Sequence, residues 1–473
     1  MLSRLEGARV GSRYGASLKS RSQLRGFLPV VCLAGRQSSE GGLGETSKTR
    51  FAIVGAGFAG LGVCWNLLRQ LKEEQGLRHR GGKIEIDVYD AHGVGSGASA
   101  VAAGILHPLN TRGNVTWRGV EAMNETLALM KQIDRWRQEK LPNDGNEAIL
   151  RQTGVLKVAK SEKDLERFER IKAERRGEIE LHVVRGAEAA TGRGDDCRGK
   201  APGYMYTPHA YAVNSPKYLE LLEGVCHSMA GEGRDVSLRL CKTLVPSLEM
   251  LEGQGYTTII ICAGAAVGTI KELRGKFPLR LSETFGVELE TALSTKAVAS
   301  PEDRGLLASI DCDPSLLGQT YVVKQPEDKA VLGAVHSEEQ VDPEDALGSR
   351  YCHIADGLDD RAQVVNREKM MAMASRLLEK SDTIFPGLLQ GYELSSVHCG
   401  VRALPPKSEE GRLPVCGKIN DKTWYLLGLG ARGLLYHAYL SKRLVDAILV
   451  EDESKLPQEV TRLTREGETG GRE

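Results

Sequence analysis

Aromatic residues are scarce in this sequence, and neither sign of charge is in excess. Only 5% of the 473 residues are aromatic, and 63 basic and 63 acidic side chains cancel to a formal net charge of zero. A neutral chain has no general attraction for nucleic acid or anionic lipid, and few aromatics argue against a base-stacking surface. Long apolar runs are also missing, since residues 259–267 fall far below the roughly 20 residues that cross a bilayer. We therefore predict no membrane span and no general nucleic-acid partner.

Cysteine and histidine occur without the spacings of a disulfide framework or a metal site. The ten cysteines include no CxxC pair and stand singly between Cys32 and Cys416. In a chain this long, scattered cysteines indicate reduced thiols. The ten histidines form no HExxH motif, and the neighbours in Cys352-His353 and His398-Cys399 would point to opposite sides of a strand. We therefore expect no metal site.

The two ends of the chain differ in composition from the middle. Residues 1–39 hold seven Lys or Arg, seven Ser and a single acid, Glu6, which is typical of an organelle transit peptide; a disordered basic tail is the alternative. The Ser-rich, weakly amphipathic character favours the chloroplast over the mitochondrion as destination. Residues 1–49 are therefore predicted to be a transit peptide and linker, and the charged residues 451–473 a disordered tail.

The first folded segment has the pattern of a strand, a glycine turn, a helix and a second strand. An apolar run at residues 51–54 leads directly into Gly55–Gly60, which reads GAGFAG. A helix is predicted from there to about Leu71, and a stretch of alternating apolar residues then ends at Asp90. This order is that of a βαβ unit, the context in which a GxGxxG motif indicates dinucleotide binding.

Each glycine of this turn has a physical role in binding a dinucleotide. Gly55 permits the tight turn, Gly57 lets the backbone approach a pyrophosphate, and Gly60 lets the helix pack closely on the strand. The helix N-terminus then offers free N–H groups to the phosphates. Asp90 can accept hydrogen bonds from a ribose, which disfavours a 2′-phosphate and therefore NADP. It lies 35 residues after Gly55, further than the usual spacing of about 20, and the polar insert at 72–83 accounts for the excess.

Three more segments rich in small residues are predicted to reach the same ligand. Residues 95–104 contain almost no bulky side chain, and residues 262–266 follow a predicted buried strand. Residues 428–433 repeat the GxGxxG pattern, but the 40 residues that follow are too few for a second βαβ unit. We interpret this last turn as a helix N-terminus that would stabilise the negative charge of a reduced flavin ring. Closely packed glycine turns without a ligand are the alternative in each case.

The rest of the chain alternates between predicted helices and strands. Helical spacing of apolar residues predicts helices over 121–140, 161–175, 367–380 and 434–450. Short apolar runs predict strands over 152–158, 179–185 and 424–427.

Four blocks of sequence carry a resemblance to a known family: Ser99–Pro108 (SAVAAGILHP), Ile259–Ala265 (IIICAGA), Gly400–Pro405 (GVRALP) followed by GRLPV, and Gly430–Leu434 (GARGL). With the glycine turn, they resemble the D-amino-acid-oxidase-like family of FAD-dependent oxidoreductases over about residues 50–450. In that family the first block runs beneath the flavin ring, and the second returns to the FAD domain. The third carries an arginine that binds the substrate carboxylate, and the fourth lies against the pyrimidine edge. The last two blocks are also similar to the oxidase domain of bacterial enzymes that modify the tRNA wobble uridine.

The resemblance implies an α/β fold in which pieces of two domains alternate along the chain. A Rossmann-like FAD-binding domain would take residues 50–150, 208–278 and 396–450. It would be interleaved with an α+β substrate domain, built on a mixed sheet, over residues 151–207 and 279–395. FAD would be held non-covalently. The residues assigned to the FAD site are Gly55, Ala56, Gly57, Phe58, Ala59, Gly60, Asp90, Ala91, Ser96, Ala98, Ser99, Ala103, Gly104, Leu106, Ala263, Gly264, Gly430, Arg432, Gly433 and Leu434.

The resemblance also assigns two residues, Arg402 and Tyr321, to the substrate. Arg402 would hold a carboxylate through two parallel hydrogen bonds, and a surface ion pair is the alternative. Tyr321 stands where related glycine oxidases place a substrate-facing tyrosine, but a strand tyrosine also packs well in a core. The paired active-site tyrosines of D-amino-acid oxidases have no clear counterpart. Arg432 would place positive charge near the flavin or form a salt bridge, and His107 is interpreted as a core residue.

These residues favour an FAD-dependent oxidase that acts on the C–N bond of an amine carrying a carboxylate, such as an amino acid or an N-substituted glycine. Oxygen would accept the electrons. The first alternative is a dehydrogenase of an amine or 2-hydroxy acid that passes electrons to a quinone or a carrier protein. By resemblance, a modified tRNA is a further candidate substrate, against which the neutral charge argues. The alternative from another class is a non-catalytic flavin-binding assembly protein.

Overall fold

The computed structural model describes ten stretches of the chain: residues 49–75, 83–142, 148–185, 202–231, 235–291, 314–325, 329–337, 339–353, 361–384 and 392–461. The predicted transit peptide and linker lie outside these ranges up to residue 48, as do residues 462–473 of the predicted tail. Within the described ranges, no helix combines the length and the hydropathy that a bilayer span requires.

The described strands are β1 (Thr49–Val54), β2 (Ile84–Asp90), β3 (Ile105–Leu106), β4 (Leu150–Gln152), β5 (Val155–Val158), β6 (His182–Arg185), β7 (Gly203–Thr207), β8 (Tyr211–Val213), β9 (Val236–Lys242), β10 (Thr258–Ile261), β11 (Arg280–Thr291), β12 (Ser315–Leu317), β13 (Tyr321–Lys324), β14 (Lys329–His336), β15 (Arg350–His353), β16 (Tyr392–Leu404), β17 (Val415–Lys418) and β18 (Thr423–Leu427). The described helices are α1 (Phe58–Gln75), α2 (Gly119–Lys140), α3 (Glu162–Glu174), α4 (Ser215–Gly231), α5 (Leu248–Glu252), α6 (Arg361–Ile384) and α7 (Gly433–Leu449).

A six-stranded sheet in the order β17-β18-β10-β1-β2-β9 forms one layer of the fold. Its strands run parallel, except that β17 is antiparallel to β18. Helices α1, α2, α4 and α7 cover one face, where Ile53, Ile86 and Ile260 belong to a shared apolar core. Helix α5 packs on the other face against Ile259 and Ile261. Because both faces are covered, β1 and β10 are continuous apolar runs rather than alternating patterns. Elements β1, α1 and β2 confirm the predicted βαβ unit.

A nine-stranded mixed sheet in the order β15-β16-β11-β14-β13-β12-β5-β7-β6 forms the second layer. Neighbouring strands are antiparallel, except for the parallel pair β12 and β5. Helix α6 covers one face, where its Leu377 packs with Phe285 and Val397. This second sheet beside the Rossmann-like one confirms the predicted fold class. The domain boundary predicted at residue 396 falls inside β16, because the strand pairs with β11 from Tyr392 to Leu404.

A small three-stranded sheet in the order β3-β8-β4 links the two layers along the chain. The strand predicted over 152–158 is interrupted, because Gly154 takes a left-handed conformation (φ +67°) that separates β4 from β5. The strand predicted from residue 179 begins only at His182, and the helix predicted over 367–380 extends at both ends to form α6.

The prediction of a disordered tail from residue 451 was wrong as far as residue 461. Leu456 and Val460 are 3% and 1% exposed and belong to the apolar core that α7 shares with the six-stranded sheet. In the sequence, Leu456 and Val460 are apolar residues within a charged stretch, and this pattern could have indicated their packing. The seven cysteines in the described part of the chain are free thiols, as expected.

Candidate active site

A cavity of about 350 Å³ lies where the carboxyl ends of β1, β10 and β18 meet the nine-stranded sheet. The turns that follow these three strands line it from one side, and residues of β13, β14 and β16 line it from the other. Among the described residues, nine glycines line the cavity: Gly55, Gly57, Gly97, Gly104, Gly264, Gly318, Gly428, Gly430 and Gly433. Such a backbone-lined groove at the carboxyl ends of parallel strands suits a long, flat ligand with phosphates.

The first glycine turn is packed so closely that two of its positions accept no side chain. Gly55 has φ +108°, and a Cβ there would overlap the carbonyl oxygen of Cys262, at the end of the neighbouring strand β10. A Cβ on Gly60 would overlap the carbonyl oxygen of Gly55. The backbone N–H of Phe58, in the first turn of α1, donates to Ser99 Oγ at 3.1 Å. The segment predicted to lie against the cofactor therefore meets the N-terminus of α1.

Asp90 ties the glycine turn to the loop that follows β2. Its Oδ2 accepts a hydrogen bond from the Ala56 N–H at 2.9 Å. Its Oδ1 accepts from the N–H groups of His92 and Gly93, both at 3.0 Å, and from Ser96 Oγ at 2.8 Å. The carboxylate thus sets the shape of the turn and also lines the cavity.

A second cavity of about 80 Å³ continues the groove beyond Asp90. It shares five lining residues with the first: Gly55, Asp90, Gly97, Ala263 and Ala346. Residues 243–245, after β9, form its far wall, and no motif in the sequence singled them out. The two cavities together give the groove the extended form that a dinucleotide requires.

Most residues assigned to the FAD site from the sequence line this groove. Those on the first cavity are Gly55, Gly57, Phe58, Ala59, Asp90, Ala98, Ser99, Ala103, Gly104, Ala263, Gly264, Gly430, Arg432, Gly433 and Leu434. Ala91 and Ser96 line the second cavity. Ala56, Gly60 and Leu106 line neither; Ala56 and Leu106 are fully buried and support the turns from behind.

The last glycine turn brings the N-terminus of α7 to the same cavity. Gly430 has φ +55°, and the first turn of α7 holds no acidic residue that would compete with an anion. Arg432 Nη1 donates to the backbone carbonyl of Leu109 at 3.1 Å. Within the described ranges no carboxylate pairs with Arg432, which argues against the structural salt bridge that the sequence left as the alternative. Burial lowers the pKa of Arg432, but a guanidinium remains charged at neutral pH.

Arg402 reaches the cavity from β16, opposite Ser282 of β11. It makes no ion pair or hydrogen bond with any residue that the structure describes, which argues against the surface ion pair. Burial and the charge of Arg402 hold the pKa of His398 at about 4. The same two causes, in that order, lower the pKa of His336, which lines the cavity. Arg402 is thus a half-buried, unpaired cation on the cavity wall.

Tyr321 lies on the cavity wall and takes part in packing as well. It pairs with Gly333 of β14, and a Cβ on that glycine would overlap the tyrosine hydroxyl. The ring therefore lies across Gly333, while its other side contacts the small apolar cluster of Ala103 and Val323. Tyr321 therefore lines the cavity and also packs within the sheet, and its contact with a substrate stays a prediction.

Two histidines on the cavity wall were not assigned from the sequence. His107 Nδ1 accepts a hydrogen bond from the Leu109 N–H at 3.2 Å. Burial, then the charges of Arg432 and Lys157, lower the pKa of His107 to about 3, so the ring is neutral. His336 Nδ1 lies 3.1 Å from Thr284 Oγ1. His107 belongs to the block Ser99–Pro108, which was predicted to lie against the cofactor, so the sequence indicated its position near the cavity. Nothing in the sequence around His336 indicated the same.

The charge of the cavity differs between its two ends. Asp90 is the only acidic residue among the described residues that line it, and it lies at the end shared with the second cavity. The guanidinium groups of Arg402 and Arg432 line the first cavity but not the second, so the positive charge lies at the end that the two cavities do not share. Of the residues described, no group of three or more could hold a metal ion. This end of the cavity therefore suits an anionic group on a small molecule.

The chain matches a known protein family in sequence and several solved structures in fold. The family model described as FAD dependent oxidoreductase (DAO) matches residues 50–447. Glycine oxidase from Geobacillus kaustophilus aligns with a TM-score of 0.60 at 19% identity, covering 88% of this chain and 99% of that one. Iminodiacetate oxidase from Chelativorans sp. BNC1 aligns with a TM-score of 0.59 at 18% identity, covering 87% and 98%.

A dehydrogenase has the same fold. L-proline dehydrogenase from P. horikoshii aligns with a TM-score of 0.58 at 12% identity, covering 89% of this chain and 98% of that one. No curated protein matches the sequence itself. At these identities the solved structures show a shared fold, and the family model matches more than three quarters of the chain.

Proposed function

Because this chain belongs to the DAO family of FAD-dependent oxidoreductases, we propose that it oxidises the C–N bond of an amine that carries a carboxylate, with oxygen as the electron acceptor. The observation that carries the proposal is Arg402, an unpaired cation on the wall of the cavity. A half-buried guanidinium without a protein partner is suited to a bidentate carboxylate ligand. The glycine and iminodiacetate oxidases that share the fold are named for amines of this kind.

The residues of the groove fit FAD. The N-terminus of α1, Gly57 and Ser99 offer backbone and hydroxyl groups to a pyrophosphate, and Asp90 lies where a ribose would bind. At the other end of the cavity, the N-terminus of α7 and Arg432 supply positive charge. When bound, FAD supplies the two-electron chemistry that these side chains lack.

The chain's own residues bind and orient the substrate. Arg402 holds the carboxylate, and the Tyr321 hydroxyl, which has no partner among the described residues, is free to donate a second hydrogen bond. The cavity wall near Arg402 holds no described carboxylate that would stabilise a substrate ammonium group. The amine is therefore bound in its neutral form, which leaves the nitrogen lone pair available for C–N oxidation.

An anaerobic substrate screen tests the proposal. We expect an amino acid or N-substituted glycine to discharge the yellow colour of the bound flavin, and readmitted air to restore it with formation of hydrogen peroxide. Reduction by a 2-hydroxy acid alone would assign a different substrate. Slow recovery in air, with rapid recovery by a quinone, would make the protein a dehydrogenase instead.

Substitution of Arg402 tests the carboxylate site. We expect Arg402→Met to raise KM by about a hundredfold or more, because two charge-assisted hydrogen bonds are lost, with a normal flavin spectrum. Arg402→Lys should restore part of the loss. Arg175→Met, which removes an exposed, ion-paired arginine at the end of α3, is the matched control. An unchanged KM in Arg402→Met would remove this residue from the substrate site.

We also propose import into an organelle, the chloroplast before the mitochondrion, on the composition of residues 1–39. A fusion of residues 1–49 to a fluorescent protein tests it, and a diffuse signal throughout the cell would contradict it.

The sequence analysis also considered a modified tRNA as the substrate. The charge of the cavity does not support this alternative, which stays a prediction.

A further inference from the structure

Strand β11 aligns one cavity residue on each of its two neighbours, β14 and β16. On one side Thr284 pairs with His336. On the other side Ser282 pairs with Arg402. Because Ser282 and Thr284 are two residues apart, their side chains project from the same face of the sheet, and so do those of their partners. His336 and Arg402 therefore reach the cavity from one sheet face, and both line it.

The hydrogen bonds of Thr284 determine which ring nitrogen of His336 is free. Thr284 Oγ1 donates to the Ser282 carbonyl at 3.5 Å and lies 3.1 Å from His336 Nδ1. A hydroxyl has a single hydrogen, so Nδ1 carries the proton of the neutral ring and donates it to Thr284 Oγ1. Nε2 of His336 then has a lone pair, and it makes no hydrogen bond with any residue that the structure describes.

The charges around His336 keep its ring neutral. Burial and then the charge of Arg402 lower the pKa of His336 below its ordinary value of 6.5. Two further cations, Lys380 on α6 and Arg280 on β11, act in the same direction. Glu283 projects from the opposite face of β11, where it is held in two ion pairs. The lone pair of Nε2 is therefore available at neutral pH.

His107, the other histidine of the cavity wall, has the opposite arrangement. Its Nδ1 accepts a hydrogen bond from the Leu109 N–H, so the proton of its neutral ring is on Nε2. No ring nitrogen of His107 is left to accept a proton. Asp90 could accept one, but it lies at the end of the cavity away from Arg402. His336 is thus the histidine of this wall that can act as a base.

We propose that His336 accepts the proton that the ammonium group of the substrate must lose before oxidation. The inference rests on the proposed function, in which the amine is bound in its neutral form while Arg402 holds the carboxylate. An N–H bond of the ammonium group breaks, its electron pair stays on the amine nitrogen, and the proton forms a new N–H bond at His336 Nε2. Because His336 is exposed and lies beside cations, the imidazolium then releases the proton to water.

The pH dependence of flavin reduction tests this role. The holoenzyme is mixed without oxygen with the amine that reduces the flavin fastest in the anaerobic screen, and the loss of colour is timed. His336→Asn keeps an amide nitrogen for Thr284 Oγ1 but has no atom in place of Nε2. We expect this variant to reduce its flavin about tenfold or more slowly than the parent chain at pH 7. At about pH 10, where most of a free amine is already unprotonated, the two rates should agree within about twofold.

Two further variants and a simple acid complete the experiment. Thr284→Val removes the hydroxyl that orients the ring, and it should show a smaller loss at pH 7 with the same recovery at about pH 10. His227→Asn, at an exposed histidine of α4, is the matched control and should keep the parent rate at both pH values. Propionate has a carboxylate but no ammonium group, so it should bind equally well to the parent chain and to His336→Asn, as measured by the visible spectrum of the flavin.

The proposed function and the role of His336 fail in different ways. If no amine reduces the flavin of the parent chain at either pH, the proposed function fails. If an amine does so, but His336→Asn matches the parent chain at pH 7 or is equally slow at both pH values, only the role of His336 is overturned. Weaker binding of propionate to His336→Asn would likewise show that the ring only shapes the site. Should His336→Asn not fold, the presence or absence of recovery at high pH in Thr284→Val decides between the same outcomes.

Discussion

The carbonyl oxygen of Cys262 occupies the space that a Cβ on Gly55 would need. This contact joins the turn after β1 to the end of β10, and both residues line the cavity. Because Gly55 also has φ +108°, any other residue there meets two penalties, a clash and a left-handed backbone.

We therefore predict that Gly55→Ala loses both bound FAD and stability. The backbone strain alone costs about 1–3 kcal/mol, and the clash adds to it. The ratio of flavin to protein absorbance in the purified protein and the melting temperature measure the two effects. Gly231→Ala is the matched control, because a Cβ at the end of α4 meets no atom within 4 Å. Full flavin content in Gly55→Ala would show that the turn tolerates a side chain.

Asp90 gives a second prediction about the cofactor end of the groove. Its two oxygens accept four hydrogen bonds from the turn and the following loop. Asp90→Asn keeps the shape of the side chain but replaces one accepting oxygen with an NH₂ group. That group cannot accept a hydrogen bond from the Ala56 N–H or from the donors of the loop. We expect a loss of about 1–3 kcal/mol in the free energy of unfolding and a weaker affinity for FAD, measured by urea denaturation and flavin titration. If Asp90→Asn binds FAD with the same affinity as the parent chain, Asp90 does not organise the FAD site.

Substitution of Tyr321 is predicted to affect substrate binding rather than folding. Its hydroxyl has no hydrogen-bond partner among the described residues, so Tyr321→Phe removes no interaction of the fold. We expect an unchanged melting temperature and a KM raised by about tenfold, with a smaller change in kcat. Kinetics identical to the parent chain would mean that the ring only packs. Tyr211→Phe, at a partly buried tyrosine outside the lining of the cavity, is the control.

The sequence predicted the residues whose positions depend on local geometry. The turn Gly55–Gly60 and Asp90 belong to one βαβ unit, in which spacing along the chain determines position in space. The turns at 262–266 and 428–433 follow apolar strands, and parallel strands bring such turns to one edge of a sheet. Their convergence on a single cavity therefore follows from strand order.

The residues that the sequence could not place depend on pairing between distant strands. Lys157 and Leu317 are neighbours because β5 pairs in parallel with β12. The two residues are far apart in the sequence, and nothing in the sequence near either of them indicates this contact. His336 reaches the cavity through the register of β14 against β11. No local pattern encodes such a register, because it is fixed by the packing of whole sheet faces.

Two buried histidines make stability depend on pH. His398 is 3% exposed, and its Nδ1 has no hydrogen-bond partner. His437 is fully buried, with Nε2 at 2.6 Å from the Tyr218 hydroxyl. Burial lowers the pKa of each to about 4, aided at His398 by the charge of Arg402, whereas the unfolded chain has the ordinary value of 6.5. Between these values the unfolded chain binds more protons than the folded one.

We therefore predict that the protein is most stable above pH 6.5 and loses stability as the pH falls towards 4. Each histidine contributes a slope of up to about 1.4 kcal/mol per pH unit, so the pair approaches twice that value in the middle of the range. Urea denaturation at a series of pH values measures the slope, and His398→Leu should reduce it by about one proton. His227→Leu, at an exposed histidine of α4, should leave it unchanged. A slope that His398→Leu does not alter would mean that this ring is already protonated in the folded protein, and the unpaired Arg402 beside it would then face a second positive charge.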